Sequence, residues 1–177
     1  MNFNFTDEQM MIRDTAEAFL SQTSTSAAVR QVMGTELGYD HQLWRRICDE
    51  MGWQEMHIPE AYGGLGLGYV ELVATLEQMG RYLCCSPFYA SVCLAANALL
   101  IAGTEHQKLT YLPQIAEGKT ATLAYTGDSG GWDSDSVKVT YQKQGESYRL
   151  NGSYRFVPDG HSAEILVLAA RDPDTQG

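Results

Sequence analysis

The 177 residues predict an α+β protein, with an all-α helical bundle over residues 1–118 and the first part of an antiparallel β domain over 119–177. Three observations carry this reading. Apolar side chains recur at three- and four-residue spacing up to Gly118. From Lys119 onward they recur at every second residue. Inside that second stretch lies Asn151-Gly152, whose residues tolerate the positive φ of a tight hairpin, so a hairpin tip is expected there.

Each element has its own signal. Thr6 and Gln9 form a capping box that starts a helix, and Met11, Ile12, Ala16, Phe19 and Leu20 lay an apolar stripe along it. A short second helix is expected over Ser26 to Met33, stopped by Gly34. Asp40 caps a third, with Leu43, Trp44, Ile47 and Met51 facing inward before Gly52 ends it. A fourth runs from Tyr69 to Tyr82 and carries Val70, Val73, Leu76 and Met79. Pro87 opens an apolar helix reaching Ala102, too short and too interrupted by Tyr89, Ser91 and Asn97 for a membrane span. Thr104 and Gln107 make another capping box, and that helix is expected to end around Leu112 and Pro113. In the second half, strands are expected at Thr120 to Thr126, Ser136 to Lys143, Tyr148 to Leu150, Ser153 to Val157 and Glu164 to Ala170.

Composition narrows the function. The chain carries 12 basic and 22 acidic residues, a formal net charge of −10, and is 44% hydrophobic. Nucleic acid needs a basic stripe to displace phosphate counterions, and the basic residues here reach no more than pairs such as Arg45 and Arg46, so no nucleic acid partner is expected. Met1 to Asp7 has neither a basic nor an apolar leader region, and Cys48, Cys84, Cys85 and Cys93 lack CxxC spacing. Reduced thiols in a cytoplasm are the expectation. His41, His57, His106 and His161 show no ligand spacing, so no metal site is expected.

Two glycine-rich segments are the candidates for chemistry. Pro59 to Gly68 lies between helices with no preceding strand, which fits a tight inter-helix loop better than a phosphate cradle. Tyr125 to Asp135 leaves a strand and offers amides and hydroxyls to a ligand, although Asp128, Asp133 and Asp135 would repel a pyrophosphate.

Taken together, Phe5 to Gln9, Ile58 to Gly66, and Gly103 to Lys108 leading into Tyr111-Leu112-Pro113 resemble the acyl-CoA dehydrogenase family of flavoproteins, whose order is a helical domain followed by a β domain. The resemblance implies FAD, an acyl-CoA substrate, fatty acid metabolism and a homo- or hetero-oligomer. It also implies a later helical domain holding the catalytic glutamate, which matches no residue here, so no catalytic residue is assigned and the chain alone is expected to be inactive. Carried over, Tyr125 and Thr126 would present backbone and hydroxyl to the flavin, Phe156 would cover its ring, and Val157 and Pro158 would border its reactive edge. Trp132 and Pro158 stand where the family has a serine and a threonine, and losing those polar partners is expected to weaken FAD retention by about tenfold or more. Two alternatives follow: a degenerate non-catalytic subunit of a heteromeric member, or a helical interaction domain with a vestigial β tail.

Overall fold

The computed structural model describes residues 4–128 and 130–173. Helix α1 (Asp7–Thr23) begins at the expected box: Thr6 Oγ1 accepts from the Gln9 amide, and the Gln9 side chain accepts from the Thr6 amide. Helix α2 (Ser26–Met33) is capped by Thr25. Helix α3 (His41–Arg46) is capped by Asp40, whose carboxylate accepts from the Gln42 and Leu43 amides, and it widens into a π-type turn over Ile47–Met51. Gly52 ends that turn at φ 63°, a conformation that costs a glycine little.

Helix α4 (Tyr69–Arg81) packs lengthwise on α1. Its buried positions are Leu72, Ala74, Thr75, Gln78 and Met79, whereas Val70 and Val73 are exposed. Met11 on α1 is likewise exposed, because the face that meets α4 is set by Ala16 and Leu20. Beyond Pro87 the chain forms a wide helix of π type (Tyr89–Ala96) that continues as α5 (Asn97–Ala102). Helix α6 (Glu105–Ala116) starts at the Thr104 box and passes through Pro113 instead of ending there. Proline lacks the N–H for the Leu109 carbonyl, but burial of Leu112, Ile115 and Ala116 outweighs that one missing bond.

Two apolar clusters result. One gathers Ala16, Leu20, Trp44, Ile47, Trp53, Leu72, Phe88 and Val92; the other gathers Ile58, Ala95, Leu99, Leu112, Ile115 and Ala121. Buried polar groups tie the elements together: Trp44 Nε1 donates to the Gly118 carbonyl at 2.9 Å, and Gln54 Nε2 to the Ala116 carbonyl at 2.7 Å.

No strand among the described residues precedes Gly118. Strand β1 (Ala121–Ala124) pairs with β4 (Ile165–Leu168) in parallel, and β2 (Thr140–Gln144) pairs with β3 (Ser147–Asn151) antiparallel. The parallel pair departs from a purely antiparallel expectation. It is possible because the long excursion between β1 and β4 lets the chain return in the same direction. The hairpin tip is also not at Asn151-Gly152. Gln144 pairs with Ser147, so Gly145-Glu146 makes the turn, with Gly145 at φ 64°. Asn151 still lies in the ladder opposite Thr140, and Gly152 serves close approach instead: a Cβ there would lie 2.7 Å from Val139 Cγ2. Ser134–Ser136 forms a short 3-10 turn, and Ser153 to Val157 is not a strand.

Candidate functional site

The six residues singled out by resemblance, Tyr125, Thr126, Trp132, Phe156, Val157 and Pro158, fall on two loops at the end of β1, and the fold brings these loops into direct contact. Burial of Ala121, Thr122 and Ala124 fixes β1 against the wide helix, where Ser91 Oγ donates to the Ala121 carbonyl at 3.1 Å and accepts from its amide at 2.8 Å. Thr126, at the exit of that strand, is buried and its hydroxyl donates to the Arg155 carbonyl. The Arg155 amide returns a bond to the Thr126 carbonyl at 3.1 Å, and the guanidinium holds Asp128 at 3.0 Å.

The remaining groups close the same seam. Phe156 takes φ 56°, and its ring lies 3.4 Å from where a Cβ on Gly130 would stand. Gly130 donates to the Gly127 carbonyl, and Gly127 itself has no room for a side chain, since a Cβ would come within 2.1 Å of the Ser136 carbonyl oxygen. Trp132 stacks on Tyr125 with ring centroids 6.3 Å apart and planes 21° from parallel. Pro158 offers only its carbonyl, which accepts from Thr122 Oγ1 at 2.6 Å, while half-buried Val157 accepts from the Gly160 amide. Asp159, also at positive φ, is held above the usual carboxylate range by burial, partly offset by His161.

A second feature was not singled out from the sequence. Where α4 ends, Leu83 turns at φ 49° and stays 70% exposed. With Met79, Gly80, Cys84, Ser86, Phe88 and Tyr89 it lines an open apolar cleft of ≈ 210 Å³. The signal available in the sequence was an apolar residue in the short turn before Pro87, where a solvated side chain is expected. Burial raises the pKa of Cys84, the cysteine that lines the cleft. Burial pushes the Cys93 thiol up to about 11 and the Cys48 thiol up to about 12.

The fold is thus an N-terminal helical bundle running into a small β unit, with a glycine-rich loop leaving its first strand. Residues 6–119 match the acyl-CoA dehydrogenase N-terminal domain, and the chain belongs to the acyl-CoA dehydrogenase family. It is 30% identical over 168 residues to the mitochondrial isovaleryl-CoA dehydrogenase of Pongo abelii, a match covering 93% of this chain and 40% of that protein. Among solved structures it is similar to a chain of the ChsE4-ChsE5 complex from Mycobacterium tuberculosis, at 27% identity and a TM-score of 0.85, covering 98% of this chain and 46% of that one. It is also similar to an FAD-dependent dehydrogenase, at 28% identity and a TM-score of 0.76, covering 97% and 44%. The chain thus spans less than half the length of these relatives.

These likenesses raise the question of a flavin, and the two loops as arranged do not fit one. A flavin's ring edge needs donors and an open face. Here the Thr126 hydroxyl is committed to the Arg155 carbonyl and Pro158 has no N–H, so the donors are missing, while the Phe156 and Trp132 rings stay 74% and 67% exposed.

Proposed function

We propose that the chain forms the N-terminal helical portion and the opening of the β domain of an acyl-CoA dehydrogenase-type protein, and that it contributes the acyl-binding side of an assembly acting on acyl-CoA thioesters. The observation that carries this reading is the apolar cleft at Met79 to Tyr89 within a chain of this family. A cleft lined by Leu83, Phe88 and Met79 favours an aliphatic tail over any charged group, at about 0.8 kcal/mol per methylene buried. The reaction class is introduction of a double bond between Cα and Cβ of the thioester, the α-proton leaving to a base and the β-hydrogen passing as hydride to a flavin that would be held elsewhere in the assembly. No residue of this chain resembles the base that removes the α-proton.

Hydrogen exchange with an acyl-CoA series tests the reading. Octanoyl-CoA should slow exchange over residues 79–89, and free CoA should not. An acyl thioester that leaves this segment unchanged would refute it. In a dye-reduction assay the 177 residues alone should give no turnover above the free-flavin background.

A second reading, a non-catalytic subunit paired with a catalytic chain in a hetero-oligomer, is favoured by the commitment of the Thr126 hydroxyl and by Pro158 and Trp132 at positions where the resemblance implies flavin contacts. A cytoplasmic location is part of the same proposal; among the described residues no helix is long and apolar enough to cross a membrane.

A further inference from the structure

We propose that the loops 125–132 and 154–160 form a self-closed pair that does not take up FAD, so that this chain lends its fold, and not a cofactor site of its own, to the assembly. The inference rests on the family reading above, because only that reading makes these loops the place where a flavin is expected.

Three contacts run between the two loops, and a fourth lies within one of them. Thr126 and Arg155 exchange two hydrogen bonds, one through the threonine hydroxyl and one through the arginine amide. The Arg155 side chain crosses back to Asp128, with its Nε 3.0 Å from the carboxylate. The Phe156 ring lies 3.4 Å from where a Cβ on Gly130 would stand, while the side chain stays 74% exposed. Tyr125 and Trp132 stack on each other, which satisfies two aromatic faces within the loop.

Opening this pair to admit a ring would break both hydrogen bonds between Thr126 and Arg155, one of them made by the buried Thr126 hydroxyl. Proline at position 158 supplies neither hydroxyl nor amide in return. Uptake therefore exchanges contacts that exist for contacts the side chains cannot make, and the equilibrium favours the closed pair.

The test is amide hydrogen exchange on the 177-residue chain, with and without FAD at about 100 µM, a hundredfold above the Kd of about 1 µM that would mark retention. Without FAD, peptides covering 125–132 and 154–160 should be protected. Thr126→Val keeps the shape and removes the hydroxyl, and should speed exchange over 154–158 by about tenfold. FAD should change neither loop in the unsubstituted chain. Unprotected loops, an inert Thr126→Val, or FAD-dependent slowing at either loop each overturn the proposal. The acyl-CoA response over residues 79–89 is read in the same spectra. Its loss with the loops still closed would count against the substrate reading and not against this one.

Discussion

Gly64 sits under the Ile58 carbonyl so closely that a Cβ would stand 2.0 Å from that oxygen. The segment between α3 and α4 folds by such contacts: Gly66 donates to Ile58, and Leu65 and Leu67 donate back to Glu55 and Met56. Gly64→Ala should therefore destabilise the protein by about 2–4 kcal/mol, since backbone rather than a flexible side chain must move, and a urea midpoint measures it. A substitution within about 0.5 kcal/mol of the parent would show that the turn relaxes freely. Next to it, His57 is buried and neither ring nitrogen has a hydrogen-bond partner. Its ring lies 5.8 Å from that of Tyr69, whose hydroxyl is taken by Asn97. Burial lowers the His57 pKa below its usual value of 6.5. The sign follows directly: as pH falls below 6.5 the unfolded chain takes up this proton before the folded one, so stability is full above that value and declines beneath it. His57→Leu should flatten the decline between about pH 7 and pH 5 relative to the parent, measured as the difference between their denaturation midpoints. Parallel curves would refute the assignment.

At the scale of elements, the wide helix Tyr89–Ala96 owes its role to one hydroxyl. Ser91 is fully buried and both donates to and accepts from Ala121, which docks β1 on the helix as a ladder partner would. Ser91→Ala leaves an amide and a carbonyl in the core without partners. The expected loss is about 2–4 kcal/mol, read as a lowered thermal midpoint with the helical circular-dichroism signal unchanged below the transition. A loss of under about 1 kcal/mol would mean that another group satisfies Ala121. The same scale explains where the sequence misleads. The sequence points to Asn151-Gly152 as the hairpin tip, because both residues tolerate positive φ. Packing reversed the choice: Gly152 is the position where Val139 presses on the backbone, while Gly145 is free of any neighbour within 4 Å and can form the tip.

For the whole molecule, the change of period at residue 119 is not a boundary in packing. Ala121 lies in the same apolar cluster as Ile58, Leu99 and Leu112, and Ile165 and Val167 of β4 pack against it. A chain ending at residue 119 should thus be less stable to urea than the 177-residue chain, with hydrophobic dye binding where β1 is missing. Equal midpoints for the two would show that the β unit contributes nothing to the bundle.

The sequence by itself determined the helix starts and the class of fold. The Thr6, Asp40 and Thr104 caps and the shift from a three- and four-residue to a two-residue period are local signals, written in neighbours a few positions apart. The resemblance, too, rests on short contiguous stretches, and it named the loops that the fold brings together. What the tertiary structure decided depends on residues far apart in the chain. Burial of Leu112 and Ile115 carries α6 through Pro113, and the contact of α1 with α4 leaves Val70, Val73 and Met11 outside. The partnership of Thr126 with Arg155 closes the loop that the resemblance alone would leave open to a flavin. A spacing rule sees only the chain next to it, whereas the free energy of these choices is set by surface and hydrogen bonds shared between distant segments.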